Sequence, residues 1–245
     1  MNRTLAWINP HDPLPPTSAA LTPEEGANGL LAAGSDLTAT RLLEAYGRGI
    51  FPWFSHGEPV LWWTPSPRMV LMLDEFKISH SFRQTIRKAL NDPILDIQVD
   101  QDFRATIQAC ATPRSHQAGT WINDTMIDAY AELHAMGHAH SIEVLRDDER
   151  IGGLYCVVLG RMVYGESMFS RHSNGSKLAL AALVGWLRSH GAQMIDCQQR
   201  TNHLLSLGGR EIDRPLFESL VNTLTQRPAL PWRSQPPSKT DLGRL

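Results

Sequence analysis

Residues 141–198 constrain the fold more than any other stretch. Ser141 to Leu145 and Ile151 to Leu159 are mostly apolar runs that read as strands. Met162 to Ser167 reads as a third, joined to the second by a Gly160-Arg161 hairpin turn. Asn174 to His190 carries Leu180, Leu183, Val184 and Leu187 at helical spacing, and Gly191 closes it. Met194 to Gln198 returns as a short buried strand. Strand hairpins, a helix and a returning strand suit an antiparallel-rich sheet with helices on its faces. The expected class is α+β.

Within Met194 to Gln198, alternate side chains of an extended chain point to opposite faces. Ile195 and Cys197 then share one face, and Asp196 and Gln198 the other. A carboxylate and an amide are costly to bury without partners. The pair is therefore a candidate for chemistry, weighed against polar groups satisfied by nearby backbone.

The rest of the chain frames this unit. Residues 8–26 are rich in Pro and predict an irregular lead-in. Residues 38–48 predict a helix with Leu42, Leu43 and Tyr46 on one face and Gly49 past its end. Aromatic residues crowd 50–63, where Trp53 sits at a loop edge as a platform for a planar ligand. Pro65-Ser66-Pro67 marks a boundary, and 69–73 a strand. Residues 79–90 predict a helix buried along Phe82, Ile86 and Leu90. Arg83, Arg87 and Lys88 lie off that stripe, either as a solvated face or as a phosphate patch. Residues 110–120 read as a polar loop. Asn123 or Asp124 caps a helix with Met126, Ile127, Tyr130 and Leu133 inward, stopped by Gly137. A last helix spans 214–225, and the tail beyond Pro228 is expected to be loosely held. The division expected is a small N-terminal domain over 1–65, a catalytic domain over 66–228 and a tail over 229–245.

Composition narrows the function classes. An apolar fraction of 42% and a charged fraction of 20% suit a soluble globular chain. No apolar run reaches membrane-span length, and no apolar segment follows the N-terminus as in a secretory signal. Three cysteines without a CxxC pair point to a reducing, cytoplasmic setting and away from disulfides or thiolate zinc. With a net charge of −2, any nucleic-acid contact needs a local basic patch. His134, His138 and His140 invite a metal reading. Gly137 breaks their helix and no second ligand cluster is evident, so no metal and no cofactor are expected.

Gly165-Glu166-Ser167-Met168-Phe169-Ser170-Arg171 ends a strand, and Ser173-Asn174-Gly175-Ser176-Lys177 leads into the helix. Such a helix start offers N–H groups to an anion, with Lys177 adding charge. Glu166 suits an amino group or a hydroxyl of a substrate.

Several motifs together resemble the leucyl/phenylalanyl-tRNA–protein transferases. They are GLLAAGSDLTATRLLEAYGRGIFPWFS (29–55), VLWWTPSPRMVL (60–71), GTWI (119–122), GHAHSIEV (137–144), GESMFSR (165–171), IDCQ (195–198) and HLLSLGG (203–209). The resemblance implies a small N-terminal α/β domain followed by a GNAT-like acyltransferase domain. It implies transfer of Leu or Phe, with Met less well, from aminoacyl-tRNA to the N-terminal Arg or Lys of acceptor proteins, creating a degradation signal. Carried over by position, Leu154, Val163, Leu180, Leu183 and Ile195 line the aminoacyl pocket with Glu166 at its polar side. Trp53 and Trp121 stack the terminal adenosine, and Asp196 and Gln198 are the catalytic pair. Val163 and Leu183 stand where the family carries larger side chains, which implies a roomier or differently shaped pocket and leaves the choice between Leu and Phe open. Arg83, Arg87 and Lys88 are the tRNA-binding patch, and the chain is expected to act as a monomer.

An α-amino nucleophile has a reference pKa of about 8 and is partly neutral at pH 7. Aspartate is a weak base unless buried. Asp196 is therefore expected to orient Gln198 or the incoming ammonium, with Gln198 accepting a hydrogen bond from the attacking amine. A thiol relay through Cys197 is the rival chemistry. A coenzyme-A acyltransferase and a non-catalytic tRNA-binding module are the rival classes.

Overall fold

A computed structural model describes residues 4–112 and 122–245. Residues 6–63 build a four-stranded sheet from β1 (Ala6–Ile8), β2 (Leu30–Gly34), β3 (Phe51–Pro52) and β4 (Val60–Trp63), in the order β1-β2-β4-β3. Helix α1 (Ala39–Tyr46) follows β2. Thr38 caps it by accepting the Arg41 N–H, and Leu42 and Tyr46 are buried. None of these four strands was read from sequence: β1 ends where the Pro-rich lead-in starts, β2 lies in the Gly-flanked LLAAG, and β3 and β4 lie in the aromatic-rich 50–63. Each draws its regularity from a neighbouring strand rather than from its own pattern.

The remaining elements are β5 (Arg68–Met72), α2 (His80–Asn91), β6 (Leu95–Val99), α3 (Phe103–Ala111), α4 (Asp124–Ala135), β7 (Ala139–Arg146), β8 (Glu149–Leu159), β9 (Met162–Ser170), α5 (Gly175–Ser189), β10 (Met194–Asp196), α6 (Asn202–Ser206), β11 (Arg210–Ile212) and α7 (Arg214–Thr225). They form a seven-stranded sheet ordered β11-β5-β10-β9-β8-β7-β6. All pairings in it are antiparallel except β9 with β10, which α5 connects. The α+β class and the hairpin turn at Gly160 are as expected. Gly160 has φ 59°, and a Cβ there would stand 2.5 Å from the Thr225 carbonyl oxygen. Residues 110 and 111, assigned to a loop from sequence, complete α3.

Alternation along the strands divides the core between the two faces of this sheet. Tyr155 and Val157 of β8 pack with the N-terminal sheet, α1, α3, α4 and α7. Leu154, Cys156 and Val158 pack with α2 and α5. Helix α5 is buried around its whole circumference from Leu178 to Leu187, so it needs cover on the side away from the sheet.

The C-terminal residues supply that cover, contrary to the expectation of a loosely held tail. Leu230, Trp232 and Leu242 are buried in the α5 core. Trp186 donates its indole N–H to the Gln235 carbonyl at 2.6 Å. Gly185 lets the tail approach, because a Cβ there would lie 2.1 Å from the Asp241 carbonyl oxygen. Trp232 also stacks on His140 with ring centroids 4.3 Å apart. The apolar residues of the tail are too few to form a core alone, but they complete one already built. Trp232→Ala should lower the unfolding free energy by about 3–5 kcal/mol in urea titrations, whereas a change below about 0.5 kcal/mol would mark the tail as energetically irrelevant.

Candidate active site

The parallel pair β9 and β10 diverges early. The two strands are in register only at Ile195 with Val163 and at Asp196 with Tyr164. Strand β9 runs on to Ser170, paired with β8 alone. A cleft of about 1450 Å³ opens at this divergence, walled by residues from both sheets.

A bulge aims the first functional group into it. Ser167 is opposite Tyr155 and Gly165 is opposite Cys156, so Glu166 is the extra residue of β9. Tyr130 of α4 donates its hydroxyl to Glu166 Oε2 at 3.2 Å. The Tyr46 and Tyr130 hydroxyls are 2.5 Å apart. The Gln198 amide donates to Glu166 Oε1 at 3.2 Å. Burial pushes the Glu166 carboxyl from its ordinary value of 4.5 up to about 8. Burial also raises the Tyr46 and Tyr130 hydroxyls, so they remain protonated.

Gln198 reaches the cleft by leaving the strand. Strand β10 ends at Asp196, two residues earlier than the sequence suggested, and Gln198 has φ 56°. Its backbone is held twice. The Gln198 N–H donates to Asp196 Oδ1 at 3.0 Å, and its carbonyl accepts the Met69 N–H at 3.3 Å. With the amide nitrogen on Glu166, the amide oxygen is the group left to accept from a ligand.

Asp196 does not share the cleft with Gln198. It lies on the other face of β10, is fully buried, and does not line the cavity. Arg68 Nε donates to Asp196 Oδ1 at 2.8 Å, and Nη2 donates to Oδ2 at 2.7 Å. The Arg68 guanidinium lies between the rings of Phe51 and Phe217, 4.7 and 4.5 Å from their centroids. The expected common face for Asp196 and Gln198 is corrected by the left-handed residue, which cancels the alternation. Of the two jobs foreseen for Asp196, the geometry supports orienting Gln198. It places no path for an incoming ammonium to a carboxylate already paired.

Leu154, Leu180, Leu183 and Ile195 line the cleft as expected, and Leu71 and Cys197 join them. Val163 does not: it is fully buried in the core beside Ile195. Its smaller size therefore acts through packing rather than as open wall. Burial raises the Cys197 thiol well above its ordinary range, so it is protonated at neutral pH and unsuited to a relay.

Trp53 is exposed at the rim, its carbonyl accepting the Trp63 indole N–H at 2.8 Å. Trp121 lies outside the described residues. At the start of α5, the Ser176 N–H already donates to the Ser170 hydroxyl at 2.8 Å, so this helix end is partly occupied. Arg83, Arg87 and Lys88 are exposed on α2, and none of them lines the cleft. Asp100, His134 and His140 come together outside the cleft, but their polar atoms serve hydrogen bonds: His140 Nδ1 to Asp100 at 2.7 Å and His134 Nδ1 to the Ala139 carbonyl at 2.8 Å. His138 instead bonds to the Val158 carbonyl.

Sequence reasoning missed Arg68, Tyr46 and Tyr130 as parts of the site. Tyr46 and Tyr130 were read only as core-facing helix residues. Arg68 had one available signal, a lone cation at the head of an apolar strand that needs an anionic partner.

A family model described as leucyl/phenylalanyl-tRNA protein transferase matches residues 70–222, and one for the N-terminal domain of that family matches residues 35–66. A leucyl/phenylalanyl-tRNA–protein transferase from Burkholderia multivorans is 54% identical over 228 residues, covering 93% of this chain and 90% of the relative. One from Paraburkholderia xenovorans is 54% identical over 227 residues, covering 92% and 93%. Among solved structures, FemX aligns with a TM-score of 0.40 at 10% identity, covering 81% of this chain and 76% of that one. A GCN5-related N-acetyltransferase-like protein from Streptococcus suis aligns at 0.33 and 13% identity, covering 74% and 67%. The chain belongs to the leucyl/phenylalanyl-tRNA protein transferase family.

Proposed function

We propose that this chain moves Leu or Phe, with Met a poorer donor, from the 3′ end of aminoacyl-tRNA to the N-terminal Arg or Lys of acceptor proteins, marking them for degradation. The observation that carries the reading is the Gln198–Glu166 hydrogen bond at the mouth of an apolar pocket, set where β9 and β10 part. Leu154, Leu180, Leu183 and Ile195 take the donor side chain by burial of apolar surface. Trp53 and Trp121 hold the terminal adenine by stacking. Glu166, as the neutral acid, donates a hydrogen bond to the unprotonated α-amino group of the donor, and Gln198 Oε1 accepts from the attacking amine of the acceptor. The new C–N bond forms at the ester carbonyl, the C–O bond to the ribose breaks, and the ribose oxygen takes up a proton. Because that amine is partly neutral at pH 7, placement at the carbonyl is the main service of the protein. Asp196 is a positioning residue in this scheme, holding the backbone of Gln198.

In the same reading residues 1–65 form the domain that presents Trp53, and residues 66–228 carry the aminoacyl pocket. The chain acts as a monomer in the cytoplasm. Its three cysteines form no disulfide with one another, and no helix among the described residues is long and apolar enough to cross a membrane. Arg83, Arg87 and Lys88 meet tRNA phosphates beyond the cleft.

Labelled Leu-tRNA and Phe-tRNA should label a peptide beginning with Arg or Lys and leave one beginning with Ala unlabelled. Transfer from acetyl-coenzyme A, or equal labelling of all three peptides, would defeat the proposal. Double charge reversal at Arg83 and Arg87 should raise KM for aminoacyl-tRNA and lower the log–log salt slope by about 2; an unchanged slope removes α2 from the interface.

Glu166 sets a pH dependence. Below its ordinary pKa of 4.5, folded and unfolded chains both hold the proton. Between 4.5 and about 8 only the folded chain holds it, so stability falls through this window relative to Glu166→Gln. Transfer by the wild type should likewise lose rate above about pH 8, and Glu166→Gln, which mimics the neutral acid, should lack that descending limb in kcat/KM. Identical profiles would remove Glu166 from the reacting geometry.

A further inference from the structure

A cation on the first residue of the acceptor calls for an anionic partner near the cleft. Among the described residues lining the cleft, the carboxyl groups are those of Glu58 and Glu166. Residues 113–121, PRSHQAGTW, contain no Asp or Glu.

Glu166 is poorly suited to a cation. Both its oxygens accept hydrogen bonds from the protein, and burial favours its neutral form. Glu58 differs on each point. It is exposed, on the turn between β3 and β4 that also carries Trp53. Its Oε2 accepts the Ser55 N–H at 2.8 Å, and its own N–H donates to the Ser55 carbonyl at 3.1 Å. This pair of bonds fixes the side chain at the rim and leaves Oε1 open among the described residues. Glu58 therefore offers an exposed carboxylate at the rim. An anion at the mouth of a cleft that admits the end of a polyanion works against donor binding. Its place there is better accounted for by the other substrate.

We propose that Glu58 reads the basic first residue of the acceptor, with Oε1 taking the guanidinium or ammonium at the rim while the α-amino group of that residue reaches Gln198. This rests on the acceptor specificity proposed above, and the experiment separates the two.

The probes are peptides beginning with Arg or with citrulline, its uncharged isostere, and the readout is the ratio of their kcat/KM values with Leu-tRNA as donor. If the wild type shows no preference for Arg, the acceptor specificity itself falls, and the role of Glu58 with it. If it shows the preference, Glu58→Gln decides. Glutamine can keep the bond to Ser55 through its amide oxygen but carries no charge. The expected result is a ratio lowered about two- to fivefold through the peptide KM, the range of an exposed charge pair, with the effect shrinking as salt is raised. Glu58→Lys should lower the ratio by a further step of similar size. An unchanged ratio in Glu58→Gln, or equal losses on both peptides, would overturn the proposal and leave Glu58 a loop-holding residue.

Discussion

The site depends on one ion pair that never touches the cleft. Arg68 and Asp196 are both fully buried and joined by two hydrogen bonds, with the guanidinium between Phe51 of the N-terminal sheet and Phe217 of α7. Four distant pieces of chain thus meet at one charge. Desolvating two ions costs several kcal/mol each, and geometry this close offsets it. Removing one partner would strand the other, at a cost of about 3–5 kcal/mol. The pair also does local work. Asp196 Oδ1 takes the Gln198 N–H as well as Arg68 Nε, so the carboxylate that ties the sheets together fixes the left-handed residue beside it.

From this anchor the cleft follows. Strand β10 is only three residues long, and its departure leaves one side of β9 without a neighbouring strand. The bulge at Glu166 then turns a carboxyl into the gap, where two tyrosines and Gln198 hold it. Raising the Glu166 pKa and supplying polar partners are two sides of one arrangement. Burial disfavours the charge, and the hydrogen bonds keep the group from being an unsatisfied polar atom. The apolar wall beyond it comes from α5 and β8, which face the tail-covered core.

Much of this was legible in the chain. The 141–191 pattern carried three strands and a helix because their apolar spacing is local and strong. The motifs at 49–55, 165–171 and 195–198 located the cleft walls, and Leu154, Leu180, Leu183, Ile195, Glu166 and Gln198 were all found there. The failures share a cause. Val163 was placed in the cleft by its position in the family motifs, Asp196 beside Gln198 by strand alternation, and the tail in solvent by its composition; none of these weighs contacts between remote segments. Val163 is buried under Ile195, Asp196 is turned away by the backbone at Gln198, and Trp232 is covered by His140 and Trp186.

The sequence by itself determined the α+β class, the order of many of the elements and, through motifs that resemble one family, most of the groups that line the cleft, because periodicity and motif are properties of neighbouring residues. Only the tertiary structure decided which face Asp196 occupies, that Arg68 is its partner 128 positions away, and that the tail closes the core over α5. Those depend on a single positive φ and on contacts between remote segments. Neither leaves a mark in the local spacing of residues.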